Sequence, residues 1–203
     1  MLPDFFSMLG LKPLRPREPT LSRGIELHHL TDAAFHTAEP FVTLTQAAQA
    51  ALLQAGLARG PARAVAHIGV ELLLDEVLAR DAQGRNAYTS ALANSEHSAR
   101  MLDFQGETDK ARFLSLLSLL ASRGAPETPA APVQVADRIE RALRGRPRLC
   151  LDEHAHAQVG EWVVAARPDV VDSAPGLLTM LRARLNATGF GSESEPSGRV
   201  ASL

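Results

Sequence analysis

His67-Ile68-Gly69-Val70-Glu71-Leu72-Leu73-Leu74-Asp75 places three polar residues at four-residue steps in an otherwise apolar run. Residues four apart on a helix lie one above the other, so His67, Glu71 and Asp75 share one column. The same spacing occurs upstream in Gly24-Ile25-Glu26-Leu27-His28-His29-Leu30-Thr31-Asp32-Ala33-Ala34-Phe35-His36. There His28, Asp32 and His36 form a second column, and His29, one step aside, makes a narrower stripe with Asp32 and His36. Burying unpaired imidazoles and carboxylates costs several kcal/mol unless something compensates. A divalent metal shared by two facing helices is one compensation, since it takes N and O ligands from both. The bland alternative is a buried polar network or two solvated helix faces.

Boundaries follow from proline, glycine and capping residues. Residues 3–10 read as a short apolar helix, followed by the basic, proline-containing stretch Lys12 to Pro19. Thr20 or Ser22 can cap a helix running to about Glu39, where Pro40 breaks it. Phe41 to Leu57 is again helical, and Pro61 suits the first turn of a long helix through Arg80. The helix around 21–39 is expected to pack beside the one around 61–80. Residues 81–84 read as a loop, and helices are expected at 86–103, 110–122, 134–144, 150–166 and 174–187. Pro147, Pro168 and Pro175 punctuate the last of these. No alternating strand pattern and no internal repeat is present, so the fold is expected to be all-α. One domain over 1–188 and a disordered tail over 189–203 complete the expected organisation.

Composition agrees with helices and excludes several function classes. The 203 residues are 45% hydrophobic, only 4% aromatic, and carry a formal net charge of -2. Ala, Leu and Arg favour helix, and there is no general basic field for nucleic acid. No apolar run approaches the length of a membrane span. The start lacks the basic and apolar regions of a signal peptide. A lone cysteine, Cys150, excludes an internal disulfide and suits a reducing compartment, so a cytoplasmic location is expected.

Arg59 and Arg63 lie just before the His67–Glu71–Asp75 column, and Arg144, Arg146 and Arg148 cluster before Leu149. Guanidinium suits phosphate through its bidentate fork. His154 and His156 point to different helix faces and read as surface residues. His97 has no partner in sequence, and Cys150 reads as structural.

The order of these landmarks resembles the bacterial acyl carrier protein phosphodiesterase family. The likeness lies in Gly24-Ile25-Glu26-Leu27-His28-His29-Leu30-Thr31-Asp32, closing at Pro40-Phe41-Val42, and in Glu71-Leu72-Leu73-Leu74-Asp75-Glu76-Val77-Leu78. Arg146-Pro147-Arg148-Leu149 and Asp4-Phe5 add to it. These are scattered positions between about Asp4 and Leu185 rather than long identities. The chain departs at His29, His36, Glu71 and Glu76, each of which still offers a possible ligand or base.

The resemblance implies an HD-domain-like helical bundle, dependence on Mn or Mg, and release of the phosphopantetheine arm from acyl carrier protein or hydrolysis of a related small phosphoester. Fe and Zn are further candidate metals for these N and O donors. The candidate ligands are His28, His29, Asp32, His36, His67, Glu71 and Asp75. Asp75 or Glu76 is a candidate base, and Arg63 or Arg59 a candidate clamp for phosphoryl charge. The alternative is a non-catalytic helical protein binding a metal or a partner on the same scaffold. A di-metal oxidase fits less well, because paired Glu-x-x-His motifs are absent. Oligomeric state is left open.

Overall fold

A computed structural model describes residues 2–12, 16, 18–124 and 129–189. Among them the fold is all-α. The order is α1 (Leu2–Leu9), α2 (Pro19–His36), α3 (Glu39–Gln54), α4 (Arg59–Leu78), α5 (Ala82–Ala93), α6 (Ser95–Arg100), α7 (Glu107–Arg123), α8 (Pro132–Leu143) and α9 (Glu153–Ala187). A short 3-10 turn, Pro147–Leu149, joins the last two. No helix among the described residues is long and apolar enough to cross a membrane. The expected disordered tail lies, except for Gly189, outside the described residues.

The boundaries differ from expectation in several places, and residues 82–84, expected as loop, form the first turn of α5. Pro40 does not break α2. That helix ends at His36, and Pro40 sits in the first turn of α3, where its missing N–H is no loss. Neither Thr20 nor Ser22 caps α2, because Glu18 is the N-cap residue. The stretch 86–103 divides into α5, capped by Asp81 accepting from the Gln83 and Gly84 amides, and the short α6.

The largest difference is α9, one continuous helix through Pro168 and Pro175 where two were expected. An interior proline costs about 3 kcal/mol. Seven residues apart, both prolines fall on one face, and that face is exposed. The opposite face buries Val159, Trp162, Val163, Val170, Ala174, Leu177 and Leu181 without interruption. Burying a side chain of this kind contributes about 1.5–3 kcal/mol, so the packed face outweighs the two breaks.

Two hydrophobic clusters hold the described helices. The larger joins α3, α4, α8 and α9, and the smaller gathers Phe5, Phe6, Leu92, Ala99, Leu102, Phe113 and Leu117. Helix α2 buries no residue fully and bridges them: Leu21 packs on the smaller cluster, Ala34 and Phe35 on the larger. Its main partner is α9 rather than α4, and it reaches α4 at its carboxyl end, through His36.

Helices α3 and α4 form a tight antiparallel-type connection, closed by Gly56 at φ 100°, a conformation glycine takes at no steric cost. Helix α4 crosses the core at Gly69. A Cβ there would stand 2.5 and 2.6 Å from the Trp162 ring and 3.4 Å from Ile139. Gly69→Ala should therefore destabilise the protein by about 1–3 kcal/mol, overriding the better helix propensity of alanine. Chemical denaturation checks this, and a stabilised variant would show that Trp162 moves freely.

Candidate metal centre

The apolar stripe of α4 turns Ala62, Val65, Ala66, Gly69, Val70 and Leu73 into the core, which leaves His67, Glu71 and Asp75 on the outer face. The last turn of α2 brings His36 against this column. His36 Nε2 lies 3.0 Å from Glu71 Oε1, and His67 Nε2 lies 3.3 Å from the same oxygen. The two imidazoles stack, with centroids 5.0 Å apart and planes at 14°. Phe41, fully buried in the first turn of α3, meets both rings edge-on. Arg184 of α9 donates to the Ala34 carbonyl and to Thr37 Oγ1, fastening the end of α2 that carries His36.

These donors could hold a divalent ion. With bonds of about 2.1 Å, ligand atoms on one ion lie about 3.0–3.4 Å apart at octahedral to tetrahedral angles. The 3.0 and 3.3 Å separations at Glu71 Oε1 fall in that range. His36 Nδ1 is 2.9 Å from the Asp32 carbonyl and 3.2 Å from Asp32 Oδ1, so its Nδ1–H can be held and Nε2 aimed at Glu71. Burial pulls the His36 pKa down, but its bonds to Glu71 and to Asp32 outweigh that and raise it overall. An ion taken up between His36 Nε2 and Glu71 Oε1 would compete with any proton held there.

Asp75 adds a second carboxylate one turn on. It keeps a path to solvent, yet desolvation in the cleft, then the Glu71 charge, push its carboxyl up to about 6 against the pull of Arg138. Because the folded value exceeds the ordinary 3.8, the stability it contributes is present below that pH and is lost as pH rises through about 6. Asp75 is not among the groups whose donor atoms converge within 4.8 Å, so it stands beside His36, His67 and Glu71 as a neighbouring carboxyl rather than with them.

Two clefts flank the His36–Glu71–His67 group. One, about 460 Å³, is lined by Asp4, His28, Asp32, His36, Glu71 and Asp75, with Leu74 and Leu177 among its apolar walls. The other, about 650 Å³, is lined by His36, Thr45, Gln49, Arg63, His67 and Arg146 among others. Arg146 arrives because the 3-10 turn packs on α4, where Gly60 admits Leu149 at 3.3 Å from its would-be Cβ.

The candidate ligands named by spacing therefore separate. His36, His67 and Glu71 converge within 4.8 Å of one another. Asp32 stands behind His36 as its orienting partner. His28 pairs with Asp4 at 3.5 Å elsewhere in the first cleft, and His29 is exposed with its ring edge against His28. Neither belongs to the converging group.

Glu76 turns inward instead of joining the site. It is 7% exposed, accepts from Arg167 Nε at 3.1 Å and Nη2 at 3.2 Å, and accepts the Ala130 amide at 3.0 Å. These bonds make it a structural ion pair and leave no catalytic base there. Arg63 lines the second cleft, whereas Arg59, at the first residue of α4, is exposed and lines neither.

Spacing missed two things. His156 is not simply solvated: its side chain is 22% exposed and its Nε2 is 3.0 Å from Asp137. No local signal links positions 19 apart. Cys150, read as structural, is exposed, because it lies between the 3-10 turn and α9 and faces no core.

No family model, no curated protein and no solved structure matches this chain. The likeness to acyl carrier protein phosphodiesterases rests on the residues quoted for it.

Proposed function

We propose that the chain is a metal-dependent phosphoester hydrolase. The observation that carries this reading is the convergence of His36, His67 and Glu71 beside a cleft that two arginines, Arg63 and Arg146, enter. His36, His67 and Glu71 would hold a divalent ion, which would supply Lewis-acid activation of water and of a phosphoryl oxygen. Imidazole and carboxylate donors suit Mn, Fe or Zn, and admit Mg less readily. Arg63 and Arg146 hold the non-bridging oxygens and offset the charge that develops on them. Asp75, with a carboxyl poised near 6, accepts a proton from the opposite side of the group. Phe41 packs edge-on against both imidazoles, and Leu74 and Leu177 give the first cleft apolar walls.

Acyl carrier protein is a test substrate on the sequence resemblance alone. A chromogenic phosphodiester is the other. Each is to be incubated with the protein and Mn, Mg, Fe or Zn in turn. Arg63→Ala should lower turnover by more than about tenfold without releasing metal, and Arg63→Lys should recover part of the loss. Stoichiometric metal with no cleavage of either substrate would replace this reading with a binding role on the same scaffold.

A further inference from the structure

We propose that Asp137, Glu140 and His156 form a second divalent-metal site, separate from the first, that clasps α8 to α9. The two helices are already held rigidly, because Val135, Ala136, Ile139 and Leu143 of α8 and Val159 and Val163 of α9 are all buried in the larger cluster. On that frame Asp137 and Glu140, three apart, share one face of α8 and both address His156 Nε2 from the first turn of α9. Nε2 lies 3.0 Å from Asp137 Oδ1 and 3.9 Å from Glu140 Oε2.

One imidazole proton can be given to only one acceptor at a time. Asp137, at 3.0 Å, takes it, and Glu140 at 3.9 Å is beyond a hydrogen bond. Two carboxylates thus converge on a single nitrogen that can satisfy one of them. A divalent ion would satisfy all three, since the Asp137–His156 separation of 3.0 Å matches a ligand edge and the three donor atoms lie within 4.8 Å of one another. The residues are half-buried, so the ion is partly desolvated while its outer face stays open. That face adjoins a groove of about 340 Å³ lined by Pro132, Val133, His156, Gly160 and Val164. No Cβ fills the space above Gly160. Water completes the coordination there. One imidazole and two carboxylates favour Zn or Mn over Mg.

Metal stoichiometry decides the matter, measured by titration calorimetry with Zn and with Mn on the full chain. Wild type should bind two equivalents. His156→Ala and the charge-neutral pair D137N/E140Q should each bind one and lose the corresponding part of the Zn-induced rise in Tm. His36→Ala, which affects only the first centre, should also bind one, and adding His156→Ala to it should leave none. His154→Ala, on the exposed neighbouring position, should bind two. Circular dichroism confirms that each variant is folded. Retention of both equivalents by His156→Ala and by D137N/E140Q would overturn the proposal. So would affinity at this site no tighter than millimolar, the behaviour of an ordinary exposed ion pair. Loss of an equivalent in His36→Ala alone bears only on the first centre, so the two readings fail separately.

Discussion

Glu71→Gln is expected to weaken divalent-metal binding at the His36–His67 centre by more than about a hundredfold, the upper end of the loss for removing even an outer partner of a ligand. One oxygen, Glu71 Oε1, faces both imidazole nitrogens, so the carboxylate is the donor shared by the two rings. Glutamine keeps the shape and helix propensity of the residue but removes its charge and turns half of its head into a donor. Far-ultraviolet circular dichroism should be unchanged. Asp32→Asn should be much milder, under about tenfold, because the Asp32 backbone carbonyl still holds His36 Nδ1. Titration with Mn or Zn in a His156→Ala background reads the first centre alone. Wild-type affinity in Glu71→Gln would make Glu71 a structural partner of two stacked imidazoles and remove the basis for metal chemistry.

Arg167→Met should cost about 3 kcal/mol of folding stability, the lower end expected when one partner of a buried ion pair is removed. The lower end applies because the Arg167 side chain is 23% exposed while that of Glu76 is 5% exposed. Without the guanidinium, Glu76 keeps only the Ala130 amide, and the Ala130 carbonyl loses its 2.7 Å donor. Glu76→Gln should be less severe, since Arg167 can turn toward water. The double variant should cost less than the sum of the two. Urea denaturation measures all three. Metal affinity should be unaffected, which separates a structural role for Glu76 from a role in turnover. A loss within about 0.5 kcal/mol for Arg167→Met would mean that the pair is solvated and structurally neutral.

The helical fold was legible because its cues are local. Four-residue spacing on α4 depends only on helix geometry, and so does the separation of that polar column from the apolar stripe beside it. Gly56 and Asp81 also act on neighbouring peptide groups, yet the expected helices ran past Gly56 to Leu57 and resumed only at residue 86. The candidate centre was half legible because the α4 cues are local too. His67, Glu71 and Asp75 share a face whatever surrounds them.

Which histidine of α2 would meet that face was not legible. His28, Asp32 and His36 are equivalent by spacing, but α2 lies along α9 and touches α4 only at its carboxyl end, so His36 arrives and His28 does not. Glu76 follows Asp75 in sequence, yet its role depends on an arginine 91 positions away. His156 depends in the same way on acids 16 and 19 positions earlier. Pro168 and Pro175 read locally as helix ends, and only the buried face opposite them keeps α9 continuous. The sequence by itself determined periodicity, helix class and the α4 column, since each is set within a turn or two of the chain. Tertiary structure alone decided which columns meet, which charges pair and which prolines are overridden, since each depends on helix packing between residues far apart in sequence.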